Sequence, residues 1–341
     1  MNIFSDRGPT LPVWFMRQAG RYHSHYQNIK KTSDFMTMCK SPELACEVTL
    51  GPIQDFGFNA ASLFSDLLFP IEQLGLGLSY HSGPPTLEWH LETPEDVKKL
   101  KVIKPGKEFF AFQGEACKLL RKRLPADCTL LGFVGAPFTL YTYAVEGSHA
   151  GNLVSAKKGL FDGRFEGFLK LLLPELLEEM CVQAEGGADA VCLFDTAAGE
   201  LSPGDYAELV VPHIHSLLEG FKSRFPKKKV IYYSKHTQAA HIKHLDFSLI
   251  DVLGVDWRCD MVEIQKLLPA HVFIQGNLDP AWLHLPWPLL EKKAKAFYQD
   301  LRERGLDFKR LVAGLGHGVL IQTPEDNVRG LVKLIQSQTL V

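Results

Sequence analysis

Short apolar runs alternate with helix starts along the whole chain, and this alternation constrains the fold more than any other feature. The runs lie near residues 11–17, 59–65, 129–134, 189–195, 229–234, 249–256, 271–276 and 311–315. Strands that alternate with helices imply βαβ units and parallel pairing. Eight such units in 341 residues predict an α/β fold, a (β/α)8 barrel of the TIM type that forms a single domain over residues 1–341. An open doubly wound sheet is the alternative.

Several helix starts share one pattern, a Ser or Thr followed by proline and then an acid. The pattern occurs at Ser41, Thr93, Ser202 and Thr323. A hydroxyl can cap the first turn, proline suits that turn, and an acid favours the positive end of the helix dipole. The segment 67–128 is longer than one crossover helix needs. We expect a hairpin in it, with strands at 78–80 and 86–89 and a turn at 82–85.

Charge and cysteine usage exclude some classes of protein. A formal net charge of −2 argues against a general nucleic-acid binder, so any anion site must be local. The seven cysteines contain no Cys-x-x-Cys pair, which predicts buried free thiols in a reducing cytosol. The chain shows neither a charged-then-apolar leader nor an apolar stretch near the ~18 residues of a membrane span. We therefore expect a cytoplasmic protein that does not bind a membrane.

Two arginines lie at the end of the first predicted strand or in the loop after it. Arg17 and Arg21 are four residues apart, and Gly20 between them allows a ligand to approach the backbone. Paired guanidinium groups suit the bidentate capture of carboxylate or phosphate. The alternative is a strand end whose arginines are merely solvated.

The residues around this pair carry a more specific signal than their spacing. RQAGRY after an apolar Pro-Val-Trp run resembles the amino-terminal signature of the uroporphyrinogen decarboxylase family. Enzymes of this family remove the four acetate carboxyls of uroporphyrinogen III to give coproporphyrinogen III. The resemblance implies that this stretch binds substrate through Arg17, Gln18, Ala19, Gly20 and Arg21, and that the two arginines are also catalytic.

A second motif follows the second predicted strand. The letters FSDLL around Asp66 are similar to the FSDIL of the family. The resemblance implies that Asp66 is catalytic and accepts hydrogen bonds from the pyrrole N–H groups at the centre of the macrocycle. An aspartate after a strand is more often the cap of the next turn, which is the alternative.

Three further motifs match the family at later strand ends. GAPFTLYTYAVEG aligns Tyr143, and not Tyr141, with the substrate-facing tyrosine, although both could simply be core residues with a polar tip. FDTAAGELSP gives Thr196 the hydroxyl that reaches a substrate carboxylate in the family. GLGHG gives His317 as the substrate-contacting histidine, flanked by two glycines that leave it accessible, whereas a lone histidine is usually structural.

The resemblance extends from Pro12 to the final helix, with the motifs in the family order. The sequence departs from the family pattern in two loops, one at residues 23–25 and one at Lys235 and His236, where the family usually carries glycine soon after the lysine. Ala197 replaces a common aromatic residue, Gly314 a frequent asparagine, and Gln322 a usual glycine. These departures concern the shape of the pocket and its turnover.

The family resemblance implies a cofactor-independent carboxy-lyase that forms a homodimer. Protonation of a pyrrole carbon next to the acetate-bearing position gives an iminium that accepts the electrons released with CO2. Arg17 and Arg21 would hold the polyanion, and Asp66 would stabilise the cation. The general acid is not assigned, since an arginine and a bound water are both candidates.

Two other functions stay open. A corrinoid-dependent methyltransferase of the same superfamily binds zinc through a His-x-Cys pair and a distant Cys, but none of the thirteen histidines here has a cysteine two positions later. We expect no metal site. A non-catalytic tetrapyrrole-binding relative is the other alternative, and the joint retention of the motif residues speaks against it.

Overall fold

The computed structural model describes residues 3–4, 8–80 and 84–340, and seven strands in this part of the chain form one parallel sheet in chain order. The strands are β1 (Ala60–Ser62), β2 (Thr129–Gly135), β3 (Ala190–Asp195), β4 (Lys229–Ser234), β5 (Val252–Val255), β6 (Phe273–Leu278) and β7 (Leu311–Leu315). Sequential neighbours with helices between them confirm the predicted βαβ succession and exclude the doubly wound order.

The predicted first strand at 11–17 was wrong as a strand. Val13 makes only one parallel bridge, to Ala313 of β7. Pro12 has no N–H to donate, and the N–H of Val13 donates to Oδ1 of Asn59 at 3.0 Å. The N–H of Asn59 in turn donates to the Val13 carbonyl at 3.0 Å. A single segment thus contacts β7 and the residue before β1, so the sheet is curled like a TIM barrel, although the described residues form seven strands and not eight.

Fifteen α-helices lie in the described part of the chain. They are α1 (Ser24–Lys30), α2 (Phe35–Lys40), α3 (Pro42–Phe56), α4 (Phe69–Gln73), α5 (Gly106–Phe109), α6 (Ala111–Arg123), α7 (Pro137–Glu146), α8 (Val154–Gly159), α9 (Arg164–Glu185), α10 (Pro203–Asp205), α11 (Val211–Arg224), α12 (Ala239–Ile242), α13 (Met261–Leu267), α14 (Trp287–Glu303) and α15 (Glu325–Gln336). Shorter 3-10 turns lie at Pro94–Lys99, Ala198–Glu200, Pro280–His284 and Phe308–Arg310, and a π-turn at Tyr206–Val210 joins α10 to α11. None of these helices is long and apolar enough to cross a bilayer.

The hydroxyl caps are confirmed at three of the predicted helix starts. Ser41 accepts from the N–H of Leu44, and Ser202 caps α10. Thr93 forms a capping box, but the helix that follows is a 3-10 turn. The prediction for Thr323 was wrong, because its hydroxyl donates to the Leu320 carbonyl at 2.8 Å and α15 begins two residues later.

The predicted hairpin is reduced to one antiparallel bridge between Ser79 and Thr86, with both backbone hydrogen bonds at 3.0 Å. Residues 82 and 83 of the predicted turn lie outside the described residues. The bridge matters for the site, because it fixes the segment that carries Tyr80.

The inside of the curled sheet is filled by side chains from successive strands. Members of this cluster are Trp14, Ala60, Leu131, Ala190, Cys192, Ile231, Val252 and Val312. The interior is therefore packed, and the polar side chains that could do chemistry lie at one edge, where all seven parallel strands end. All seven cysteines are free, and six of them are buried as predicted, while Cys259 is half-buried.

Candidate active site

Arg17 and His317 come from opposite ends of the chain and are held side by side. The N–H of Val319 donates to the Met16 carbonyl at 2.9 Å, which ties the loop after β7 to the amino-terminal segment. A Cβ on Gly318 would lie 2.5 Å from Cδ of Arg17, so only glycine lets the arginine lie across this loop. The glycine serves close packing, and His317 is half-buried, contrary to our expectation that its glycines expose it.

The Arg17 backbone is unusual. Its φ of 57° is in the left-handed region, which non-glycine residues rarely adopt and which is concentrated at functional sites. Arg17 is exposed, and it forms no ion pair with any residue that the structure describes. Its guanidinium is therefore available to an anion.

The surroundings of Arg17 are shown by the groups that its charge affects. Burial, together with the positive charges of Arg17 and Lys235, lowers the pKa of His317 to about 3. The ring of His317 packs edge-on against Tyr233, with the ring centroids 6.3 Å apart. The imidazole is thus neutral near pH 7 and close enough to two cations for their charges to affect it, in a region of positive potential that suits a substrate with many carboxylates.

Asp66 combines a capping role with an unused oxygen. Its Oδ1 accepts from the N–H of Leu68 at 3.1 Å, so the aspartate does cap the turn after β1. Its Oδ2 is buried and has no hydrogen-bond partner among the described residues. Burial raises the pKa of Asp66 to about 6, and the nearby Tyr80 hydroxyl opposes that rise. The free oxygen is an acceptor that a ligand N–H can fill.

Tyr143 is close enough to Asp66 and to Arg17 for both charges to affect its phenol. Burial raises the pKa of its phenol to about 12; the Arg17 charge opposes this and the Asp66 charge adds to it. Its hydroxyl is 2.6 Å from Nδ1 of His149. Tyr141, the other tyrosine of the motif, is fully buried among aromatic rings with an unpartnered hydroxyl. The two tyrosines therefore differ in position: Tyr143 lies among the polar residues of the site, and Tyr141 lies in the core.

Thr196 is half-buried at the end of β3, and the structure describes no hydrogen bond of its hydroxyl. The preceding residue, Asp195, holds the start of this loop in place through two hydrogen bonds. It accepts from the hydroxyls of Thr139 at 3.0 Å and Tyr232 at 2.8 Å. The N–H of Ala197 donates to Thr139 Oγ1, so the small residue at 197 is held by its backbone where the family commonly has an aromatic residue.

The rest of the RQAGRY stretch does not converge on these residues. The Gln18 side chain is buried against β1, where its Nε2 donates to the Ala60 carbonyl at 3.1 Å. Ala19 packs in an apolar cluster, and the Gly20 carbonyl accepts from the N–H of His23. Arg21 is exposed, and its charge acts on Tyr26. Only the side chain of Arg17 is thus seen to join the group around His317.

Sequence reasoning missed Lys235, His149 and Tyr80 as site residues. The charge of Lys235 lowers the pKa of both His149 and His317, after burial as the larger cause. A lone histidine in a loop and a tyrosine in a hairpin carry no pattern that marks them as functional. The loop at Lys235 departs from the family motif, but this departure did not indicate a role for Lys235 in the site.

The residue after Lys235 explains that departure. His236 has a φ of 60°, a conformation that favours glycine. Its N–H donates to Oδ2 of Asp256 at 2.7 Å, and its ring faces Glu200 at 3.3 Å. These contacts hold a histidine in a conformation that glycine would adopt freely, so Lys235 remains at the site without the usual glycine.

Comparison with known proteins identifies the family. The family model described as Uroporphyrinogen decarboxylase (URO-D) matches residues 6–338. The chain belongs to the uroporphyrinogen decarboxylase family. A uroporphyrinogen decarboxylase from Chloroflexus aurantiacus is 37% identical over 336 residues, with 96% of this chain and 92% of the relative covered. Another from Thermodesulfovibrio yellowstonii is 39% identical over 329 residues, covering 95% and 93%.

Solved structures agree on the fold. A methyltransferase from Methanosarcina mazei superposes with a TM-score of 0.76 at 17% identity, covering 96% of this chain and 93% of that one. A B12-independent methionine synthase from Shewanella sp. W3-18-1 gives 0.55 at 14% identity, with 96% and 94% covered. Identities this low establish a shared TIM-barrel-like fold and nothing about chemistry. No three His, Cys, Asp or Glu side chains of the described residues come together as a metal-binding group.

Proposed function

We propose that this protein decarboxylates the four acetate groups of uroporphyrinogen III and releases coproporphyrinogen III. Family membership supports this proposal, and the site agrees with its chemistry. The observation that carries the most weight is the buried, unpartnered Oδ2 of Asp66, because the substrate offers pyrrole N–H donors at the centre of its ring. Arg17 and Lys235 add the positive potential that eight peripheral carboxylates require.

The reaction needs an electron sink, and the substrate supplies it. A proton added to the pyrrole carbon beside the acetate-bearing position creates an iminium. The bond to the carboxyl carbon then breaks, its electron pair moves into the ring system, and CO2 leaves. Protonation of the exposed methylene carbon and loss of the first proton restore the pyrrole with a methyl group. The net change for each acetate is one proton gained and one CO2 lost.

Asp66 is proposed as the group that stabilises the iminium. A carboxylate fixed in a buried site interacts strongly with a positive charge that appears nearby, because little water is present to screen it. The positive charge of the iminium also opposes the effect of burial, which raises the pKa of Asp66 to about 6 in the free protein. Substrate binding is therefore expected to favour the ionised form.

We also propose that the reaction needs no cofactor or metal, that the protein acts in the cytoplasm, and that it forms a homodimer. Sedimentation at micromolar concentration tests the last point. Arg17 and Arg21 are proposed to bind substrate carboxylates, as are Thr196 and His317 through their polar side chains. For Gln18, Ala19 and Gly20 the proposed contact is through the backbone, since the Gln18 side chain is used against β1.

An anaerobic assay with uroporphyrinogen III tests the proposal. We expect products with seven, six, five and four carboxyls, separated by chromatography, and the same rates after dialysis against a chelator. Absence of any product with fewer than eight carboxyls would overturn the function. Activity that is lost with chelator and restored by zinc would contradict cofactor independence.

A further inference from the structure

His149 lies in the loop after α7 and is held in place on both sides. Its Nδ1 is 2.6 Å from the Tyr143 hydroxyl, and the two rings pack with centroids 5.3 Å apart. Glu146 ties the far end of the loop by accepting from the N–H groups of Ser155 at 2.8 Å and Ala156 at 3.0 Å. The imidazole is therefore fixed relative to the site.

The protonation of this pair follows from its surroundings. Burial raises the pKa of Tyr143 to about 12 and lowers that of His149 to about 4, so both are neutral near pH 7. We assign the phenol O–H as the donor to Nδ1, which places the imidazole proton on Nε2. No residue that the structure describes is bonded to this Nε2.

The charges that face His149 come from separate parts of the chain. Arg17 lies in the amino-terminal segment and Lys235 follows β4, and both cations disfavour a charged imidazole. His149 in turn lowers the pKa of His317. An N–H donor that is affected by the charges of two cations is well placed for a carboxylate, and a bound carboxylate would strengthen the donor by favouring its protonation.

We propose that Nε2 of His149 donates a hydrogen bond to a peripheral carboxylate of the tetrapyrrole, while Tyr143 fixes the ring through Nδ1. This inference rests on the proposed function and adds to it a substrate contact that lies outside the family motifs quoted above. The contact distinguishes carboxylate-bearing macrocycles from esters, because an ester oxygen is a far weaker acceptor.

Two substitutions separate substrate binding from mere support of Tyr143. The amide of Asn reaches the position of Nδ1, so His149→Asn keeps a partner for Tyr143 and removes the donor at Nε2. The longer His149→Gln places an amide N–H near the position of Nε2 and removes the partner of Tyr143. His213 on α11, whose ring packs edge-on against Phe165, provides a matched control as His213→Asn.

Steady-state kinetics with uroporphyrinogen III give the main test. We expect His149→Asn to raise KM by about tenfold with kcat within about twofold, the loss expected for one hydrogen bond to a charged group. His149→Gln should retain most of the wild-type KM, and His213→Asn all of it. A normal KM in His149→Asn would overturn the inference and leave His149 as support for Tyr143.

Equilibrium binding of uroporphyrin, followed by porphyrin fluorescence, separates this inference from the proposed function. A wild-type protein that binds uroporphyrin without turning over uroporphyrinogen would refute the function, and weaker binding by His149→Asn alone would still support the contact. Equal binding by wild type and both variants would overturn it. A wild-type protein that neither binds uroporphyrin nor turns over uroporphyrinogen would contradict both proposals.

Discussion

Two buried aspartates, Asp66 after β1 and Asp195 at the end of β3, differ in how their oxygens are satisfied. Burial raises the pKa of each to about 6. Both oxygens of Asp195 accept hydroxyl hydrogen bonds, from Thr139 and Tyr232. Asp66 has one oxygen bonded to a backbone N–H and one that is buried without a hydrogen-bond partner among the described residues. The same residue type in similar burial is thus satisfied where it supports structure and left unsatisfied where we propose that it meets a ligand.

The largest effect that tests this comparison is expected at Asp195. Asp195→Ala leaves the hydroxyls of Thr139 and Tyr232 without their acceptor, in a buried region, and we expect a loss of about 3 kcal/mol in the free energy of unfolding. Chemical denaturation measures it. Asp66→Ala removes one backbone hydrogen bond and should cost less than half as much. Equal losses in the two variants would contradict the distinction between them.

The second prediction concerns the pH dependence of stability. Each carboxyl binds its proton more tightly when folded than when unfolded, where its pKa is 3.8. Stability therefore falls as pH rises from about 4 to about 6, since the folded state holds more protons in that window. Asp66→Asn abolishes one of these two contributions. We compare the free energy of unfolding of the variant with that of wild type at two pH values. The difference, variant minus wild type, should be about 2 kcal/mol larger at pH 7 than at pH 4.

A failure of this pH prediction is easily recognised in the same denaturation series. If the difference between Asp66→Asn and wild type were independent of pH, Asp66 would not carry a raised pKa in the folded protein. A gain in stability at neutral pH together with a loss of turnover is the pattern expected for a residue kept for function at the expense of stability.

A third prediction uses the tyrosine beside each aspartate. Tyr232→Phe removes a hydrogen bond of 2.8 Å to Asp195 and should cost about 1.5 kcal/mol of stability, with kcat nearly unchanged. Tyr80→Phe removes a hydroxyl that lies near Asp66 and opposes the rise of its pKa, and should reduce kcat with little loss of stability. If Tyr232→Phe instead reduced kcat and Tyr80→Phe instead reduced stability, the two aspartates would not be distinguished by their hydrogen bonds.

Much of the fold could be predicted because its signals are local. Apolar runs located six strands within a few residues of their observed bounds, and the run at 311–315 coincides with β7. The segment at 11–17 failed for a non-local reason, since the side chain of Asn59 takes the N–H of Val13 that a strand partner would need. No property of residues 11–17 themselves reveals that contact.

The candidate site divides in the same way. The family motifs indicated Asp66, Tyr143 and His317. In the structure the charge of Arg17 affects Tyr143 and His317, and the charge of Asp66 affects Tyr143. Lys235 and His149 were missed because their positions depend on loops whose paths are set by distant partners. Gln18 shows the converse, because its motif predicted a substrate contact and its side chain instead supports β1.

The proposed role of the Asp66 charge is tested most directly by the steady-state kinetics of Asp66→Asn with uroporphyrinogen III. Asparagine keeps the shape of the side chain and removes the charge, and the iminium exists only after protonation of the substrate. We therefore expect kcat to fall at least ~10-fold, which is about 1.4 kcal/mol of transition-state stabilisation, with a much smaller change in KM. Asp66→Glu, which keeps the charge, should retain more activity. Full kcat with only a raised KM in Asp66→Asn would contradict the account, because Asp66 would then position the macrocycle without stabilising its cation.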